Sequence, residues 1–153
     1  MKKFYLAMAL IFFAAICLDL VTKHLTTNVS MPLLDGLVSI YFTWNTGAGW
    51  SILSDHTLIL TIFSALMVVG MIVLLVFFRP KNWIYTIGFA LVFAGAVGNL
   101  FDRIVFGAVR DFICLEFINF PIFNVADICL TIGAILIGIW LVFFYKGEKV
   151  ERK

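Results

Sequence analysis

Apolar residues fall along this chain in four long blocks. They run from Phe4 to about Val21, interrupted only by Asp19, from Thr57 to Phe78, from Trp83 to Phe101, and from Ile128 to Tyr145. A hydrocarbon core about 30 Å thick needs roughly 20 apolar residues in helix to cross it. Backbone groups in lipid must be satisfied within the segment, so each block predicts a helix. The expected fold is an all-α membrane protein: one polytopic domain over residues 1–153, with four transmembrane helices at about 4–24, 57–78, 83–103 and 126–146. Arg79-Pro80-Lys81-Asn82 is the only break between the second and third blocks and predicts a tight hairpin. The longer connections, about 25–56 and 104–125, have a different texture. Leu37 to Trp44 is rich in β-branched and aromatic residues and reads as a strand or two. Asn45-Thr46-Gly47-Ala48-Gly49 supplies turn chemistry after it. Phe112 to Phe123 is also strand-like. These segments fit a small β-containing platform on the extracytoplasmic face, able to hold a greasy ligand. They fit a loop packed on the helix tops nearly as well.

Composition sharpens this picture. Of 153 residues, 63% are hydrophobic and 13% charged, and the mean hydropathy is +1.11. An ordinary soluble domain carries far more polar surface. The net charge of +2 gives no reason to expect a nucleic-acid partner. Lys2, Lys3, Arg79, Lys81, Lys146, Lys149, Arg152 and Lys153 lie at one set of block ends, and only Lys23, Arg103 and Arg110 at the other. Basic residues stay inside, so both chain ends are expected in the cytoplasm. The first block has the basic start and small residues (Ala14-Ala15) of a secretory leader. Its apolar pattern continues into Asp19, Thr22 and Lys23, however, and it reads as a retained helix. Cys17, Cys114 and Cys129 are odd in number and widely spaced, and read as three small buried hydrophobes. His24 and His56 are isolated, and no metal site is suggested.

Seven of the nine acidic residues lie on the outer side: Asp19, Asp35, Asp55, Asp102, Asp111, Glu116 and Asp127. A carboxylate at membrane depth costs about 2.5–3.5 kcal/mol, so it is kept where it has partners or a wet cavity. Asp19 and Lys23, spaced i, i+4, read as an ion pair at the membrane rim. Asn99, Asp102 and Arg103 share one face at the outer end of the third helix, and Gly98 allows a close helix approach. Asn124 is a good N-cap, and Asp127 then sits where an acid favours the helix dipole. Capping explains Asp127 but not Asp111, which lies in an apolar stretch. Two aspartates at a dry boundary point to acid–base chemistry, because close carboxyls share a proton. The sequence by itself does not bring the two together. Ser30, Ser39, Ser51, Ser54 and Ser64 lack a nucleophile setting, although a Ser–Lys pair through Lys23 stays formally open. Two non-peptidase classes also stay open: a small channel or transporter, disfavoured by apolar block centres, and an assembly factor whose polar motifs glue helices.

The motifs together resemble the lipoprotein signal peptidase (signal peptidase II) family of bacterial membrane aspartic peptidases. The matching segments are Asp19-Leu20-Val21-Thr22-Lys23, Asn45 to Ser51, Gly98 to Arg103, Gly107 to Phe112, and Phe120 to Asp127. The resemblance implies that Asp111 and Asp127 are the catalytic pair. It implies that Asn45, Gly47, Asn99, Asp102, Arg103, Asn124 and Ala126 shape or support the site, with Asp19 and Lys23 as structural supports. It further implies a substrate, a prolipoprotein whose cysteine already carries a diacylglyceryl group, cut just before that cysteine. No metal or organic cofactor is implied. The expected setting is a multi-pass monomer in the bacterial cytoplasmic membrane, in contact with membrane lipids, its site facing outward. The family often has Ala-Ala-Phe where this chain has Ala48-Gly49-Trp50, which touches local loop conformation and not the chemistry.

Overall fold

The computed structural model describes residues 1–47, 56–77, 79 and 81–145. Ala48-Gly49-Trp50, Asp55, Pro80 and the basic residues from Lys146 onward lie outside the described residues. Among the described residues, four helices are long and apolar enough to cross a membrane: α1 (Lys2–Thr26), α2 (Thr57–Phe77), α3 (Trp83–Phe106) and α4 (Val125–Phe143). A three-stranded antiparallel sheet sits where α1 and α3 end and α4 begins. Its strands are β1 (Ser30–Leu34), β2 (Val38–Asn45) and β3 (Val109–Leu115), in the order β1-β2-β3.

The helix α3 is the centre of the bundle. α1, α2 and α4 all pack on it, whereas α1 and α2 scarcely touch one another. Close approach follows from missing side chains. A Cβ on Gly95 would meet the Ala126 carbonyl, and one on Gly98 would meet the Asp19 carboxylate. A buried cluster of Met8, Met71, Tyr85, Phe89, Ala90 and Trp140 closes the end of the bundle away from the sheet. Elsewhere large apolar side chains such as Leu10, Phe13, Leu66 and Ile135 are exposed, the surface a helix presents to lipid. Cys17 is among the exposed positions and Cys114 is half-buried. Only Cys129 is buried as expected, because an apolar side chain facing lipid pays no hydration cost.

Three local features place the sheet. Asn82 caps α3 by accepting from the Ile84 and Tyr85 amides. Gly107 ends the same helix in a left-handed conformation (φ 71°), which only glycine adopts freely, and its N–H bonds the Arg103 carbonyl at 3.1 Å. The helix thus reaches Phe106, beyond the expected 103, and the chain turns directly into β3. That strand begins at Val109 instead of Phe112, because Thr43, Trp44 and Asn45 of β2 pair with Asp111, Arg110 and Val109. The strand β1 was not legible: Pro32 breaks the strand signal, but proline is tolerated at a sheet edge, where β1 lies.

Candidate active site

Asp111 and Asp127 come from different elements and meet at the buried junction of sheet and bundle. β3 carries Asp111, only 2% exposed. Asp127 sits in the first turn of α4, where it forms a reciprocal cap with Asn124. The Asn124 Oδ1 accepts from the Asp127 amide at 3.0 Å, and the Asp127 Oδ2 accepts from the Asn124 amide at 3.1 Å. From the other end of its side chain, Asn124 Nδ2 donates to Asp111 Oδ1 at 2.6 Å. One asparagine therefore touches both aspartates.

The other asparagines complete the shell. Asn45 Nδ2 donates to Asp111 Oδ2 at 2.8 Å, and Asn99 Nδ2 donates to Asp127 Oδ1 at 2.8 Å. Every carboxyl oxygen of the two aspartates thus accepts one hydrogen bond. The amide orientations are fixed by their second contacts. Asn99 Oδ1 faces Lys23 Nζ (3.0 Å), a group that only donates, so its nitrogen must face Asp127. Asn45 Oδ1 faces the Gly47 amide (2.9 Å), so its nitrogen must face Asp111. A register shift between Ile40 and Thr43 puts Asn45 on the Asp111 face. Without that extra residue in β2, the alternation of side chains would turn Asn45 away.

Burial pushes the Asp111 carboxyl up to about 7, and the like charge of Asp127 adds to this. The hydrogen bonds from Asn45 and Asn124, and the charge of Lys23, pull the other way but do not cancel it.

Asp19 and Lys23 form the ion pair that their i, i+4 spacing allows. Both are buried, at 1% and 0% exposure. The Lys23 ammonium reaches Asp19 Oδ2 at 2.8 Å, Asn99 Oδ1 at 3.0 Å and Asp102 Oδ2 at 3.3 Å. The ammonium thus hydrogen-bonds Asn99 and pairs with two carboxylates. Asp19 Oδ1 also accepts from the Ala126 amide at 2.8 Å, so α1 caps α4. The pair is drawn inside because α1 packs against Gly98 of α3. Asn99 and Asp102 are buried beside it, while Arg103 is half-buried. The Arg103 Nη2 donates to the Gly47 carbonyl at 3.3 Å and Nη1 to Ser64 Oγ at 3.4 Å. Its Nε is buried with no hydrogen-bond partner among the described residues, and its charge lies within electrostatic reach of Asp127 and Asp111.

Arg110 is the residue that sequence reasoning missed as part of this shell. Its Nη2 and Nε reach Asp102 Oδ1 and Oδ2 at 2.7 and 3.3 Å, and its amide adds a bond to Oδ2 at 3.0 Å. The guanidinium lies over the Phe106 ring, 4.7 Å from its centroid. This two-pronged clamp fastens β3 to α3 one residue before Asp111. The available signal was a basic residue beside an aspartate, eight positions after another aspartate, across a glycine turn. Lysine in place of Arg110 keeps the charge but loses the fork and the ring contact. Loss of a charge-assisted hydrogen bond predicts a stability drop of about 1.5–3 kcal/mol, read from the thermal midpoint in detergent. An unchanged midpoint would show that the clamp carries no weight.

The sequence model of the family described as signal peptidase (SPase) II matches residues 11–143. A lipoprotein signal peptidase of Lactiplantibacillus plantarum is 39% identical over 132 residues, covering 86% of this chain and 88% of that protein. One from Enterococcus faecalis is 38% identical over 137 residues, covering 86% and 85%. A solved structure of a bacterial membrane enzyme superposes with a TM-score of 0.84 at 32% identity, covering 96% of this chain and 94% of that one.

Proposed function

This chain belongs to the signal peptidase II family, and from that premise we propose that it is an aspartic endopeptidase of bacterial prolipoproteins. Its substrate carries a diacylglyceryl group on cysteine, and the cut falls on the N-terminal side of that cysteine. The observation that carries this reading is the hydrogen-bonded shell that Asp111 and Asp127 share through Asn124, with Asp111 buried and Asp127 capping a helix. Both chain ends lie in the cytoplasm, and the aspartates face outward near the headgroup boundary of the bacterial cytoplasmic membrane. There a lipid-anchored substrate can present its scissile bond from the bilayer. The protein acts as a monomer.

The chemistry follows from the two environments. Asp127, in the first turn of α4, is held by hydrogen bonds from Asn99 and the Asn124 amide. It takes a proton from a water molecule as that water attacks the scissile carbonyl carbon. Asp111, protonated, donates a hydrogen bond to the carbonyl oxygen and transfers its proton as the tetrahedral intermediate forms. Collapse of the intermediate breaks the C–N bond, and the proton held by Asp127 passes to the departing amine. One hydroxyl proton of the intermediate returns to Asp111 as the carboxylic acid product forms, which releases its remaining proton to solvent. Asn99 and Asn124 hold the two carboxyls in place, with Lys23 holding Asn99. Arg103 steadies the Gly47 turn and adds positive charge beside the pair.

The pH dependence has a definite sign. The proton on Asp111 is needed, so kcat/KM should fall as pH rises through about 7. The same group makes the folded state lose stability as pH rises from about 4 toward 7, because the folded chain holds a proton that the unfolded chain has released. A pH–rate profile on a fluorogenic lipopeptide checks the first statement; a rate that climbs steadily to pH 9 would contradict it. Cleavage itself is tested with purified protein in lipid and a diacylglyceryl prolipoprotein. The expected product begins at the lipidated cysteine, and the unlipidated precursor should survive. Cleavage elsewhere, or of both precursors alike, would overturn the assignment.

A further inference from the structure

At the end of the bundle opposite the aspartates lies a feature that hydrolysis does not use. A pocket of about 490 Å³ opens between the start of α1 and the end of α2, lined by Met1, Lys2, Tyr5, Leu75, Val76 and Arg79. It exists because α1 and α2 each lean on α3 without packing on one another. Its two cations come from different segments, and neither Lys2 nor Arg79 makes an ion pair among the described residues. The neighbouring Lys3 is engaged elsewhere, over the rings of Phe4 and Trp83 at 5.2 and 5.9 Å. No acid sits in the first turn of α1. Below the cations the lining turns apolar, with Leu75 half-buried against the core cluster and Val76 exposed on the outside of α2.

We propose that this pocket binds one anionic phospholipid, its phosphate between Lys2 and Arg79 and an acyl chain along Leu75 and Val76. Charge and shape both select this occupant. The paired cations call for a phosphate, while the apolar floor opening toward the bilayer calls for the attached chain. Scattered basic residues at a membrane surface attract anionic lipid without a site, at roughly 1 kcal/mol each. A wedge with cations on both walls goes further, because one headgroup meets both.

The test is native mass spectrometry of the full chain in detergent, with phosphatidylglycerol, phosphatidylcholine of the same chains, and inorganic phosphate as probes. One phosphatidylglycerol per chain should be retained at least about tenfold more tightly than phosphatidylcholine, with no comparable binding of phosphate alone. Two variants should each reduce it to the phosphatidylcholine level. Lys2→Gln with Arg79→Gln removes the charge, and Val76→Trp fills the wedge at a position already 68% exposed, so folding is spared. Retention of tight binding in Val76→Trp would reduce the effect to surface charge and overturn the proposal. Equal binding of the two lipids would overturn it, and so would phosphate binding as tightly as the lipid. The Asp127→Asn variant should bind lipid like the wild type, so the outcome is independent of the peptidase reading.

Discussion

Asparagine at position 111 or 127 should each lower cleavage by about 10²–10⁴-fold, the usual span for losing a positioned acid or base. The two losses have different origins. With Asp127→Asn, the carboxylate placed to take the proton from water is gone. With Asp111→Asn, the group that polarises the carbonyl can no longer release a proton. An amide at either site also meets a donor where an acceptor stood. Asn45 and Asn124 both donate to Asp111, and Asn99 and the Asn124 amide both donate to Asp127. One of those bonds must break, at about 1–3 kcal/mol. The thermal midpoint of each variant therefore has to be measured beside its rate. A folded variant of either kind that turns over at the wild-type rate would remove its aspartate from the mechanism.

The second large effect is on stability. Lys23, Asp19, Asp102 and Arg110 form a buried network of two cations and two anions. Methionine at position 23 keeps the length of the side chain and deletes its charge, leaving one net negative charge in a dry interior. Breaking a buried pair from one side costs about 3–5 kcal/mol. The expected result is a marked fall in the thermal midpoint of Lys23→Met. Adding Asp19→Asn, which restores neutrality, should recover part of it. Activity should fall too, since Asn99 loses one of the two donors, Lys23 and Asn124, that turn its nitrogen toward Asp127. A Lys23→Met protein as stable as the wild type would show that the network is not what joins α1 to α3 and α4.

Much of this architecture was legible before any coordinates. Four apolar blocks of spanning length leave little choice but helices, since lipid satisfies no backbone group. The polar residues kept at one end of those blocks drew attention to the aspartates and asparagines that the fold gathers. Three things were not legible, each because it depends on contacts between distant segments. The extra residue in β2 that turns Asn45 toward Asp111 exists only as a register against β3. The i, i+4 spacing of Asp19 and Lys23 said that they could pair. It could not say that Gly98 lets α1 approach so closely that both are buried and Asp19 caps α4. Arg110 looked like one of a few outer cations, and its role appeared only once Gly107 folded β3 back over Asp102.

The proton proposed to be shared by buried Asp111 and half-buried Asp127 is best sought directly, by infrared difference spectroscopy of carboxyl-labelled protein titrated in lipid. One protonated aspartate should persist to near neutral pH, lose its proton through about 7, and vanish in Asp111→Asn. In Asp127→Asn the same signal should titrate at lower pH, because the neighbouring like charge is gone. Two carboxyls that both ionise in the ordinary range, each indifferent to the other's replacement, would contradict the account.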